Sequence, residues 1–226
     1  MLAVIAVVAV LGMVVLPQLL VRLAIARHSD KRPDLPGTGG EFARHLLDRF
    51  DLASVKVEVS DLGDHYDPRE RSVRLLAAHH DGRSIAAVAI AAHEVGHAIQ
   101  HANGDRFLML RQRLAQIATN SDKAAAIFFI AAPVLGVAAR TPLAFAGLLG
   151  IGVALLGVRV VFALITLPVE YDASFRKALP TIREGNYLDE ADLPAVRSVL
   201  RAAAFTYVAA ALLTLVNLAR WLRLLR

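Results

Sequence analysis

Residues 91–101 read Ala91-Ala92-His93-Glu94-Val95-Gly96-His97-Ala98-Ile99-Gln100-His101, inside an alanine-rich, proline-free run from Ile85 to Asn103. Such a run predicts a helix, and Asn103-Gly104 supplies its C-terminal stop. On a helix, residues four apart lie on one face. His93 and His97 are then one turn apart and able to grip a single ion, with Glu94 beside them. Zinc held in this way lowers the pKa of water to about 7, and the glutamate can take the released proton. His93 and His97 are the expected metal ligands, and Glu94 the expected general base. The neighbours Ala91, Ala92, Val95, Gly96, Ala98 and Ile99 carry no charge that would compete.

A hydrolytic zinc site keeps three protein ligands and one open position. A third histidine six residues after the second is excluded, because that position holds Asn103, and Gln100 stands where the pattern has glycine. His101 is collinear with the pair, so it is expected beside the site or at the surface. The best candidate is Glu170, in Pro168-Val169-Glu170-Tyr171-Asp172-Ala173-Ser174 directly after an apolar run, where Pro168 can open a helix. Glu184, Asp189, Glu190 and Asp192 compete, but in a turn-rich stretch. Asp172 and Ser174 are candidates to orient a ligand. His65, Tyr66 and Tyr171 are candidates to donate to an oxyanion. His79-His80 reads as surface, because neighbours on a strand point to opposite faces.

The remaining sequence points to a membrane. The 226 residues are 56% hydrophobic with a net charge of +5, above the roughly 45–50% apolar share usual for soluble chains. The excess is clustered in residues 2–21, 124–139, 143–167 and 202–219. Each is near the length a helix needs to span the hydrocarbon core. Ala24-Ile25-Ala26 resembles a cleavage site, but no basic segment precedes the first run, so it is read as an uncleaved anchor. Arg159 within the third run either marks the end of the span, snorkelling to the interface, or belongs to a polar cavity, and the first reading is favoured. The arginines flank apolar runs and form no patch with interleaved aromatics, which argues against nucleic acid. No cysteine is present, which excludes disulfides, thiolate metal sites and cysteine nucleophiles.

Arg22, Arg27, Lys31, Arg32, Arg111, Arg113 and Lys123 bound one polar segment, and Arg176, Lys177, Arg183, Arg197 and Arg201 lie in the other. Arg140, Arg220, Arg223 and Arg226 fall on the opposite side, so the positive-inside rule puts both polar segments in the cytoplasm. Within the first polar segment, Phe42, Leu46, Leu47 and Phe50 predict a helix over 40–50, and Val55, Val57 and Val59 a strand. Asp64-His65-Tyr66-Asp67-Pro68 reads as a turn. Residues 72–77 read as a second strand, which is either a plain half-buried strand or one whose edge, at Val73 and Leu75, holds a substrate strand.

The blocks Asp64 to His101 and Leu167 to Ser174 resemble the bacterial YugP-type neutral zinc metallopeptidases over most of the chain. That family is described as multi-pass membrane zinc peptidases, and its layout is similar to the HtpX-type proteases, whose third ligand lies in a Glu-x-x-Ala-Asp segment. Glu170 and Ala173 match that segment and Ser174 stands in place of the aspartate, with Asp172 as the substitute. The resemblance implies a gluzincin-like site facing the cytoplasm.

The expected protein is mainly α, with about four transmembrane helices and a small α+β zinc-peptidase portion. Its parts are an anchor at 1–25, a cytoplasmic metallopeptidase portion at 26–122, a transmembrane hairpin at 123–168, a third-ligand segment at 169–201 and a C-terminal helix with a basic tail at 202–226. One zinc ion per chain, the lipid bilayer and a membrane or membrane-proximal polypeptide are the expected partners, in a bacterial inner membrane. The rival readings are an intramembrane protease and a non-catalytic zinc scaffold. Asp81, Arg83, His101, Asp105 and Arg106 bracket the motif too closely for the first, and the intact Glu94 speaks against the second.

Overall fold

The computed structural model describes residues 19–138 and 141–204. These form two compact units, one of residues 19–108 and 168–204, the other of residues 109–138 and 141–167.

In the first unit, helix α1 (Gly39–Arg49) opens with a capping box. The Thr38 hydroxyl accepts from the Glu41 N–H, and the Glu41 carboxylate accepts from the Thr38 N–H at 2.7 Å. Ala43, Leu46 and Leu47 form its buried stripe. Strands β1 (Lys56–Val59), β2 (His65–Asp67) and β3 (Ser72–Leu75) make one sheet in the order β1-β3-β2. β1 runs parallel to β3 with Val57 opposite Val73, and β2 runs antiparallel to it with Tyr66 opposite Val73.

The sheet corrects two expectations. His65-Tyr66-Asp67 is a strand, and the turn follows it, where the Asp67 carboxylate accepts from the N–H groups of Arg69 and Glu70. The strand carrying Val73 and Leu75 is the central one, paired on both sides, so its backbone is not a free edge for substrate. Alternation reveals which face of a strand is buried but not its place in the sheet.

After β3 comes a short helix, α2 (Ala77–His80), and then the long helix α3 (Ile85–Ala102). His79 is not a surface residue, because in α2 it turns inward and pairs with the Asp64 carboxylate through Nδ1 at 2.8 Å. The other oxygen of Asp64 accepts from the Leu76 N–H, which fixes the β3–α2 corner. Helix α3 starts at Ser84, whose hydroxyl accepts from the Ala87 N–H, and ends at Asn103 with Gly104 at a left-handed φ of 64°. Every residue from Ile85 to Ala98 is buried, so α3 is the central helix of the unit. It packs against α1, α2, β2 and β3.

In the second unit, most of helix α4 (Arg106–Ala138) lies beside most of helix α5 (Pro142–Tyr171). The Ser121 hydroxyl donates to the Leu155 carbonyl at 3.3 Å. Arg159 forms an ion pair with Asp122 of α4, a partner that snorkelling does not require. Among the described residues one helical stretch, Pro142–Glu184, is long and apolar enough to cross a membrane, and most of its apolar window is unburied. Leu143, Ile151, Val161 and Leu164 project outward from it. This fits membrane association through one span, where about four were expected. Of the run 124–139, residues 124–138 fall in the last half of α4, with Ile127, Ile130 and Val134 exposed. The runs at 2–21 and 202–219 fall almost wholly outside the described residues.

Helix α5 runs through Pro168 to Tyr171, so Pro168 does not open a helix. The ring removes one helical hydrogen bond there. The chain continues without a break through a π-helical turn, Asp172–Ala178, into α6 (Leu179–Glu184). That turn and α6 pack against α3. A 3-10 turn (Glu190–Asp192) leads to helical residues 193–204, whose Val196, Val199 and Leu200 complete the core.

Candidate metal centre

His93 and His97 sit one turn apart on α3, their ring centroids separated by 4.7 Å and their planes at 76°. Glu94 is buried on the same helix. Glu170 arrives from the last turn of α5 with only 1% of its surface exposed. Its Oε2 lies 3.2 Å from His93 Nε2 and 3.5 Å from His97 Nε2. Ligands placed about 2.0–2.1 Å from one tetrahedral ion stand roughly 3.3 Å from each other. The donor atoms of His93, His97 and Glu170 lie within 4.8 Å of one another, and the cluster is compatible with a metal site.

The surrounding polar groups hold this arrangement. Ser174 Oγ lies 3.0 Å from His93 Nδ1 and 3.4 Å from the Leu200 carbonyl. The hydroxyl donates to the carbonyl and accepts from the ring, which leaves His93 Nε2 as the lone-pair atom facing Glu170. On the other side, His97 Nδ1 meets Gln100 Oε1 at 2.8 Å. Gln100 in turn donates to the Val169 carbonyl at 2.9 Å and to Asp172 at 2.8 Å.

Burial opposes charge on Asp172, and its hydrogen bonds to Lys177 and Gln100 bring its carboxyl below the ordinary value. Burial, with the Arg71 charge, lowers His101, and burial raises the Tyr66 hydroxyl.

The expected site residues therefore divide. His93, His97 and Glu170 converge, and Ser174 supports His93. Asp172 does not substitute for Ser174 at the first histidine: the π-helical turn carries it toward Gln100 and Lys177. The Tyr66 hydroxyl meets His101 Nδ1 at 2.8 Å, which joins β2 to the end of α3. His65 Nδ1 faces the Gly63 carbonyl of its own loop. Tyr171 is 53% exposed and lies against Phe175. Gln100 was missed as a site residue. Its signal was a polar side chain on an apolar helix, three residues after His97 and hence on the same face.

The family model described as "Putative neutral zinc metallopeptidase" matches residues 2–226. A curated relative from Bacillus subtilis (strain 168), named "Putative membrane protease YugP", is 37% identical over 216 residues, covering 95% of this chain and 92% of its own length. No solved structure matches the chain. Together with the buried cluster of His93, His97 and Glu170, the match over nearly the whole chain shows that it belongs to the neutral zinc metallopeptidase family.

Proposed function

We propose that the chain is a membrane-bound zinc metalloendopeptidase. The observation that carries this reading is the convergence of His93 Nε2, His97 Nε2 and Glu170 Oε2. These three atoms would hold the zinc. When bound, zinc makes water acidic near neutral pH and polarises a carbonyl group. Glu94 acts as general base. Its carboxylate accepts a proton from the water whose oxygen bonds to the peptide carbonyl carbon. As the C–N bond breaks, the same carboxyl returns the proton to the leaving amine nitrogen. The burial of Glu94, His93 and His97 keeps bulk water from this exchange.

The apolar window of α5 tethers the enzyme to a bacterial inner membrane, with further spans from the other apolar runs. The flanking arginines and lysines orient the site to the cytoplasm. Substrates are polypeptides in or near the bilayer, because the site follows its span directly in the chain.

The test is metal analysis and a peptidase assay on the full chain in detergent, with Glu170→Ala and Glu94→Gln. The parent should carry one zinc per chain and Glu170→Ala should lose it. Glu94→Gln should keep zinc while hydrolysis falls by about 10²–10⁴-fold. Undiminished hydrolysis by Glu94→Gln would overturn the mechanism and favour another base.

A further inference from the structure

Gln100 is fully buried, with 0% of its surface exposed. Its amide nitrogen faces the Val169 carbonyl at 2.9 Å and the Asp172 carboxylate at 2.8 Å. Both partners only accept, so the nitrogen must point at them. Turning the amide over would set an oxygen against a carbonyl and a carboxylate. Oε1 is thereby aimed at His97 Nδ1, 2.8 Å away. An amide oxygen has no hydrogen to give, so the hydrogen in that bond belongs to Nδ1. In the neutral ring, Nε2 is then the bare lone pair, on the side of Glu170. Lys177 anchors the far end of the chain of contacts by pairing with Asp172.

We infer that Gln100 is a positioning residue for the metal centre: its carboxamide holds His97 in the Nδ1–H form and ties the helix of the histidine pair to the backbone beside Glu170. One side chain thus braces two ligands from different elements, His97 through its ring and Glu170 through the carbonyl of the preceding residue. The inference rests on the metallopeptidase reading and adds to it the group that selects the ligand tautomer. Removing the carboxamide leaves a buried ring N–H without its acceptor and frees the ring to turn or to move its proton.

The test uses the full chain in detergent. Zinc affinity is read by chelator competition, and the ¹⁵N shifts of the His97 ring are read in metal-free protein at alkaline pH. Gln100→Met should bind zinc about 10–100-fold more weakly and lose the Nδ1–H signature. Gln100→Glu keeps an acceptor for His97 but sets a carboxylate against Asp172, and it should be weakened as well. Adding Asp172→Asn to Gln100→Glu restores a donor and should recover part of the lost affinity, so this pair decides the matter if Gln100→Met does not fold. Parent-level affinity in Gln100→Met, or an unchanged Nδ1–H signature whatever its affinity, overturns the inference. So does a double variant no better than Gln100→Glu. A parent that binds no zinc would sink the metallopeptidase reading instead, while the metal-free His97 signature would still report on Gln100.

Discussion

A Cβ placed on Gly96 would sit 2.8 Å from the carbonyl oxygen of Ala173. The helix of the histidine pair and the π-helical turn after Glu170 therefore meet backbone to backbone at the residue just before His97. Ala173 is fully buried and lies between Glu170 and Ser174, so this approach sets how close both come to the imidazoles.

Gly96→Ala should accordingly push the two elements apart. Overpacking of this kind costs about 1–3 kcal/mol, and it should weaken zinc binding as well, because the displaced turn carries Glu170 with it. Thermal unfolding of the metal-free protein and chelator competition read the two effects separately. A variant with the parent's melting temperature and affinity would show that the contact yields without cost.

Ser174→Ala removes the oxygen that accepts from His93 Nδ1. Zinc affinity should drop about 10–100-fold, the usual range for partners that orient a ligand. Ser174→Thr keeps a hydroxyl and is the control for its chemistry. An alanine variant that binds zinc like the parent would assign the orientation of His93 to packing alone.

Asp67 supplies a pH-dependent test of the small sheet. Burial pushes its carboxyl up, but the N–H groups of Arg69 and Glu70 and the Arg74 guanidinium bring it below the ordinary value. The folded protein thus releases this proton more readily than the unfolded chain, whose aspartate titrates near about 3.9. The stabilisation is present above that value and is lost as pH falls through the lower folded value. Asp67→Asn keeps an acceptor for the turn but loses the charge facing Arg74. It should be less stable than the parent at neutral pH and converge with it in acid. Melting temperatures across a pH series check this, and a gap independent of pH would refute it.

Much of the site was legible because it is local. The spacing of His93 and His97 is a property of any helix, and the stop at Asn103-Gly104 is a property of backbone chemistry. The buried stripe of α1 likewise follows from neighbours along the chain, since Leu46 and Leu47 were read from their helical spacing. Glu170 was reachable from sequence because an HExxH pair without a third histidine requires a carboxylate from elsewhere. The misreadings concern long-range placement. Local rules make Pro168 a helix start, yet the helix carries through it. The β3 strand was seen, but its partners on both sides come from other segments.

The amino-acid order alone therefore determined that the imidazoles of His93 and His97 and the Glu94 carboxylate share one turn of a helix, and that the chain carries apolar runs of membrane length. Tertiary structure alone decided the rest: Ser174 and not Asp172 reaches His93, Gln100 reaches His97, and β3 lies inside its sheet. The reason is physical. A helical repeat fixes which neighbours face the same way, whereas the partner of a buried polar atom is set by whichever distant segment packs there, and burial makes a partner obligatory without naming it.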